Sequence, residues 1–581
     1  MNSQHSFAIP LVVAVTGHRD LLASEVPGIR DRVQALFEDI QRDYPDRKLQ
    51  VVSALAEGAD QLVADVALRM DIALVALLPM QKSAYRDDFA TAESKQRFDS
   101  LCERATNCYE LPLASGNTHE GISTPGEQRT RQYAQLGVFL CAHCHILLAI
   151  WDGKQTGELG GTGQVVKFHH DDIMPGYTVK SVATQQMLVD DESDLVYHIV
   201  CSRDRPDGDP KTGLSPLECS WYTKDRENPR SEEIPAQHRL IFRRSGEFSA
   251  DAIRNTHAIE ANAYPLYTPE QAAELPPGVE DINRLFCIAD VLAVLYQKKV
   301  LMMLRAMHVL AFLMGMMFIL FSDFESWPVF MIAFLLFFAV SAAIQFVAAR
   351  QGWQRKYLDY RTLAEGLRVQ FYWAVAGVYN ENESKYTHDN FLQTQDPELG
   401  WIRNVMRVAG THCDVSRTSS GKGLKFAIGE WIGKVGGGGQ LAYFATKTAE
   451  KIRRNRFTER LGQFSLLTSV AVVIVFVTIG TLMPASWSDP LMLIMGTTLL
   501  IYGIRQGYGY ATAEKELIKQ YEFMLRLFHN ARRRLDNADD AREQRLILRA
   551  LGGSALDEHA EWLLMHRERV IDRREIWRMG S

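Results

Sequence analysis

Two pairs of long apolar stretches constrain this chain more than any other feature. The first pair runs from about Leu301 to Phe321 and from Trp327 to Ala349, the second from Phe464 to Met483 and from Pro490 to Ile504. A bilayer's hydrocarbon core is ~30 Å thick and takes roughly 20 apolar helical residues to cross. Each pair is joined by a short turn without Lys or Arg: Ser322-Asp323-Phe324-Glu325-Ser326, and Pro484-Ala485-Ser486-Trp487-Ser488-Asp489. The outer flanks are basic: Lys298, Lys299, Arg350, Arg355 and Lys356 around the first pair, Lys451 to Arg460 and Arg505 around the second. By the positive-inside rule both pairs read as hairpins that enter and leave on the cytoplasmic side, with Trp327 and Trp487 as interfacial aromatics. Two buried hairpins in a soluble protein are the competing reading; run length and the repeated charge asymmetry favour the membrane. Arg305 and His308 fall inside the first stretch, and Pro490 to Ile504 is short for a span. Arg305 would snorkel to the interface or line a polar path.

The rest of the chain bounds what surrounds these hairpins. A length of 581 residues allows two to four domains. A net charge of −6 gives no strongly basic balance, which argues against nucleic-acid binding as the main business. Eight scattered cysteines fit a reducing compartment. Met1 to Phe7 lacks a signal-peptide apolar core, so the parts outside the hairpins are expected in the cytosol, with both termini there.

Residues 8–201 alternate strands with helices. Leu11-Val12-Val13-Ala14-Val15-Thr16 is a continuous run ended by Gly17, the pattern of a parallel strand buried on both faces. Ile29 to Tyr44 has one apolar face, Leu49 to Ser53 is the next strand, and Gly58-Ala59-Asp60 opens a helix to Met70. Ile72 to Leu78, Ile146 to Trp151 and Leu195 to Cys201 read as further strands, with helices near Glu93 to Ala105 and Arg129 to Cys144. Alternation of this kind implies a doubly wound, mostly parallel α/β sheet. Residues 202–280, rich in Pro, Asp, Arg and Glu, read as an insert or connector. The expected order is then 281–378 for the first hairpin and a cytoplasmic helix, 379–450 for a cytoplasmic connector, and 451–577 for the second hairpin and a charged helical tail. Gly433 to Gly439 reads as a hinge. Arg350-Gln351-Gly352-Trp353 and Arg505-Gln506-Gly507-Tyr508 end the two hairpins alike, so the second is read as a duplicate of the first.

Ligands of open parallel sheets bind at the carboxyl ends of the strands. Four segments converge there: Thr16-Gly17-His18-Arg19, Ser53 to Asp60 with Glu57 and Gly58, Trp151-Asp152-Gly153, and Gly160-Gly161-Thr162-Gly163. Glycines let backbone approach a phosphate, and helix N-terminal amides point at the anion. Any one of these is ordinary turn chemistry; together they favour a nucleotide site. Arg19, Lys82, Arg86, Arg129 and Arg131 are candidate phosphate partners, Arg19 foremost, and Tyr85 or Trp151 could stack on a base. Cys141-Ala142-His143-Cys144-His145 invites a metal, but without a second ligand pair it reads as core. His169-His170-Asp171-Asp172 reads as a solvated loop.

The order Val15-Thr16-Gly17-His18-Arg19, Ser53 to Asp60, Gly160-Gly161-Thr162 is similar to the SLOG superfamily, which includes the DNA-uptake protein and the lonely-guy nucleotide hydrolases. The resemblance covers about the first 200 residues and implies a Rossmann-like fold that binds a nucleotide-derived ligand. From about 280 to 575 the chain resembles SLATT domains, transmembrane effector modules of bacterial antiphage systems, on Arg361, Ala364-Glu365, Glu561-Trp562 and His566-Arg567-Glu568-Arg569. Together they imply a sensor that binds a second messenger, of cyclic ADP-ribose or cyclic oligonucleotide type, made by a partner enzyme. The sensor would then homo-oligomerise and permeabilise the bacterial inner membrane in abortive infection, with no nucleic-acid partner. Lonely-guy hydrolases place a catalytic Glu after Gly-Gly-x-Gly-Thr; here Gly160 to Lys167 holds none. Binding is therefore favoured over N-glycoside hydrolysis, for which Glu57 or Asp60 would have to substitute. A transporter or constitutive channel is the third reading, disfavoured by the few intramembrane charges.

Overall fold

The computed structural model describes residues 8–155, 157–178, 194–225, 228–323, 327–379, 386–392, 397–417, 420–434, 436–479 and 484–568. The chain divides into two compact units, Met1–Ala289 with Thr362–Leu424, and Asp290–Arg361 with Lys425–Ser581.

The first unit is built on an eight-stranded sheet. Its strands are β1 (Leu11–Gly17), β2 (Leu49–Ser53), β3 (Ala73–Leu78), β4 (Asn107–Glu110), β5 (Ile146–Trp151), β6 (Val196–Val200), β7 (Cys219–Tyr222) and β8 (Arg230–Ser231). The spatial order is β4-β3-β2-β1-β5-β6-β7-β8. β1 to β6 pair in parallel, and β7 and β8 add antiparallel edges. The chain steps outward from β1 to β4, then returns to the other side of β1 with β5.

The helices follow that reversal. α1 (Val26–Asp43) packs on α2 (Ala59–Arg69), and α2 on α4 (Ala92–Arg104), which follows the short α3 (Lys82–Arg86). After the short α5 (His119–Ile122), α6 (Glu127–Ala142) packs on α7 (Thr162–Asp171). Val12 and Ala14 of β1 share a core cluster with Val138 and Phe139 of α6 and Val165 and Phe168 of α7. The intervening Leu11, Val13 and Val15 are buried as well. Both faces of β1 are thus covered, as its unbroken apolar run requires.

Several expectations need correction. The segment read as a connector supplies β7, β8 and α8 (Ala236–Arg254), followed by α9 (Thr256–Asn262), so the sheet does not end near residue 201. β4 was not anticipated; Asn107-Cys108-Tyr109-Glu110 is an exposed four-residue edge strand with no apolar period to betray it. His169 and His170 close α7 rather than lying in a solvated loop. His169 is buried, His170 meets Tyr222 edge-on, and burial drives both imidazoles toward the neutral form, His170 to about 4.

The Cys141 to His145 motif is core, as expected, and its role is docking. Val12 N–H donates to His145 Nδ1, so His145 Nε2–H donates to Asn404 O at 3.0 Å. Arg407 donates to Cys144 O, and His143 Nε2 stands 2.9 Å from Asp414 Oδ2. These three anchors hold α13 (Gly400–Ser416) against the amino-terminal edge of the sheet.

The second unit is helical. Its chain arrives in α10 (Val279–Asp323) and passes through α11 (Val329–Gln351) into the start of α12 (Trp353–Ala376), which from Thr362 on belongs to the first unit. After α14 (Gly421–Phe426) and a π-helical turn (Ala427–Ile432), it continues in α15 (Gly439–Ile479), α16 (Ala485–Ala511), α17 (Glu514–Asp536) and α18 (Ala541–Glu568). α10, α11, α15 and α16 are long and apolar enough to cross a membrane. They present large exposed apolar side chains, among them Phe318, Ile332, Phe464 and Val477, that water would not tolerate in such number. α10 and α16 run antiparallel, with His308 at Tyr508, Gly315 at Leu500 and Ile319 at Gly496. α15 closes on α16 where Ser469 Oγ donates to Met495 O at 3.2 Å and Gly462 lies beside Tyr502. Glycine and serine at these crossings are what close helix approach in lipid requires.

The pattern of lengths repeats. Helices of 45, 23 and 24 residues are matched by helices of 41, 27 and 23. Each second helix ends in a left-handed residue, Gly352 at φ +63° and Ala513 at φ +50°. The expected equivalence of Gly352 with Gly507 is therefore out of register, because Gly507 lies inside α16 and the break comes at Ala513. The glycine run at Gly433 brings its two ends together. Lys434 N–H donates to Gly438 O, and Gly433 meets Gly439.

Candidate functional site

The strand order reverses between β1 and β5, so the carboxyl ends of these neighbours open a crevice of the kind ligands occupy in parallel sheets. His18 follows β1 and Asp152 follows β5. His18 N–H donates to Ile150 O, and His18 O accepts from Ala59 N–H at the start of α2. One short loop is thereby tied to both neighbouring strand ends. Gly17 is needed here, because a Cβ would collide with Ala59.

Asp152 is completely buried and His18 nearly so, with His18 Nε2 3.1 Å from Asp152 Oδ1. The Lys154 amide also donates to Oδ1 at 3.0 Å. Burial opposes charge on Asp152, but the His18 contact and the Lys154 amide outweigh it and hold the carboxyl below its ordinary range. Its other oxygen, Oδ2, has no hydrogen-bond partner among the described residues. A buried anionic oxygen left open costs stability unless something else meets it. Trp151 is packed, its indole N–H donating to Lys154 O.

The β2 loop is a closed structure. Leu55 and Gly58 have positive φ, and a Cβ on Gly58 would strike Arg19 and His18 carbonyls. Ser53 Oγ lies between Asp60 Oδ2 and O, and accepts from Leu55 N–H. Burial raises the Asp60 carboxyl to about 7, against the pull of Arg19, Ser53 and the Ala56 and Ala54 amides. Ser53 and Asp60 thus shape the loop from inside, and Glu57 is engaged by Ser94 Oγ.

At the third loop, Gly160 has φ +77°, and a Cβ there would stand 3.0 Å from the Ala134 amide of α6. Gly161 is the N-cap of α7, and Thr162 is buried in its first turn. Thr16 is also buried, in β1 itself.

Of the candidate phosphate partners, Arg129 is buried and held by Asp88 and the carbonyls of Ala84 and Ile122. Lys82 and Arg86 share Asp99, and Arg131 reaches Ser115 O. Arg19 is exposed, beside the Tyr133 ring at 5.5 Å. Tyr85 is sealed against Phe89 and Phe98 and presents no stacking face. Sequence reasoning missed Tyr133 and Lys154. Tyr133 reaches the crevice only because α6 crosses after the chain reverses, which no local pattern announces.

Among the described residues no cluster of His, Cys, Asp or Glu is arranged for a metal ion. Comparison of the chain with protein-family models, curated proteins and solved structures returned no match.

Proposed function

We propose that this chain is a ligand-gated membrane effector: a Rossmann-like, SLOG-type sensor joined to two SLATT-like transmembrane hairpins. The observation that carries the reading is one crevice, at the β1/β5 reversal, holding an open buried carboxylate oxygen on Asp152, the adjacent His18 and the exposed Arg19, in a chain with four membrane-length helices. Asp152 Oδ2 suits a ribose hydroxyl, Arg19 a phosphate, and Tyr133 beside it a base or ribose face. The ligand is a nucleotide second messenger, cyclic ADP-ribose-like or a cyclic oligonucleotide. It favours an assembled state whose hairpins, entered from the cytoplasmic side, breach the inner membrane and halt an infected cell. To take such an equilibrium from mostly closed to mostly open, the ligand must prefer the active state by roughly 5 kcal/mol.

The hydrolase alternative is weakened by the β2 loop, since Asp60 is consumed in holding that loop and Glu57 is bound to Ser94. The binding step is tested by thermal shift of the full chain in detergent against a panel of cyclic oligonucleotides and ADP-ribose derivatives. One compound should stabilise the wild type and fail with Arg19→Glu, a change at an exposed position. A panel that is consumed rather than bound would favour the hydrolase.

A further inference from the structure

α15 has two opposite stripes. Leu441, Phe444 and Thr448, and further along Gly462, Ser465, Ser469 and Val472, are buried at alternating steps of three and four, in two stretches on one side of the helix. The other face carries Arg453, Arg454, Arg456 and Arg460, all exposed, interleaved with exposed Phe457 and leading to Phe464. Between Lys447 and Arg460 the sequence has six cations and two carboxylates. Both carboxylates are engaged by lysines, Glu450 with Lys447 at 2.9 Å and Glu459 with Lys515 at 3.1 Å. No acidic side chain among the described residues pairs with the four arginines; Glu450 feels the charge of Arg453 but does not contact it.

We propose that this stripe is a binding surface for anionic phospholipid headgroups of the cytoplasmic leaflet. The proposal rests on the membrane reading of α15. Two features select this occupant. The unpaired guanidinium groups complement phosphate, and the stripe runs without interruption into the apolar face of the same helix, where acyl chains would lie. Phe457 sits at the level where aromatic side chains meet the headgroups. A soluble polyanion would satisfy the arginines but leave Phe457 and Phe464 in water.

The test is native mass spectrometry of the full-length protein in detergent, titrated with phosphatidylglycerol or phosphatidylcholine. The wild type should retain phosphatidylglycerol in preference. A juxtamembrane basic residue contributes about five-fold in binding, so Arg453→Gln, Arg456→Gln and Arg460→Gln together should lower retention on the order of a hundredfold. The three corresponding Arg→Lys changes should preserve it, which separates lost charge from lost folding. Equal retention of the two lipids, unchanged retention by the glutamine variant, or displacement of phosphatidylglycerol by a short RNA would overturn the proposal. Alkaline carbonate extraction of membranes from expressing cells keeps the two readings apart. Release of the wild type into the soluble fraction sinks the membrane reading itself; an integral protein without lipid preference sinks only this proposal.

Discussion

The two helical repeats, each with two helices long and apolar enough to cross a membrane, have nearly the same helix lengths and place their cations differently. In the first, Lys299 lies over Tyr296 and Trp353, Lys356 over Tyr296, Arg355 reaches Asp359 and Arg361 reaches Asp290. Lys298 and Arg350 are the exposed members of this group. In the second, Arg505 is held by Glu514 and Asn455, but the four arginines of α15 face outward without acidic partners among the described residues. A repeat most of whose charges are engaged internally stabilises its own helices. One that leaves them open is ready for a partner. The same contrast recurs in the sheet unit, where Asp60 is satisfied by its own loop and Asp152 keeps an oxygen open.

The largest effect is expected from that second contrast. Asp60 is raised to about 7 from an ordinary 3.8, so the folded state binds its proton more tightly than the unfolded state. Stability carried by this proton is complete below pH ~4 and is lost as pH rises toward 7, by up to about 4 kcal/mol. Asp60→Asn should remove that loss, flattening the unfolding midpoint between pH 5 and 7.5; an unchanged pH profile would mean that Asp60 is not buried as described.

Next comes Asp359, almost fully buried between Arg355 and Arg567. Asp359→Ala leaves these cations facing each other and should cost about 3 kcal/mol in denaturant or thermal unfolding in detergent. Glu450→Ala, in the open repeat, should leave the midpoint unchanged. Equal effects would erase the distinction between the repeats.

A smaller pair probes the helix crossing. A Cβ on Gly315 would fall 2.6 Å from Leu500, whereas one on Gly503 meets nothing within 4 Å. Gly315→Leu should cost about 1–3 kcal/mol by overpacking, and Gly503→Ala should gain a few tenths through helix propensity.

The smallest pair has opposite signs. Gly352→Ala should cost about 1 kcal/mol, and Ala513→Gly should gain a similar amount, because both positions are left-handed and only glycine adopts that conformation without strain. A loss at both positions would show that the second break is not at Ala513.

The parts of this architecture written in local pattern were legible. β1 is a continuous apolar, largely β-branched run, each of the four long helices contains an apolar stretch of membrane length, and Gly58 and Gly160 stand where positive φ is required. The rest depends on contacts far apart in sequence. β4 and β8 are short edge strands without a two-residue period, and β7 lies in a polar segment that resembles a linker. Ser53 and Asp60 show a related limit: a polar residue beside a glycine reads the same whether it faces a ligand or its own loop. Only the hydrogen bonds of Asp60 with Ser53, Ala54 and Ala56 decide it. The docking role of His143 and His145 was invisible because Asn404 and Asp414 lie hundreds of residues away. Arg569, part of the C-terminal resemblance, lies outside the described residues.

The central claim, that a nucleotide bound at the β1/β5 crevice opens the membrane, is most directly tested with dye-loaded liposomes carrying the full-length protein. Release triggered by one cyclic oligonucleotide or ADP-ribose derivative, and lost in Arg19→Glu, is the predicted result. Release that needs no ligand, or none with any compound that binds, would contradict it.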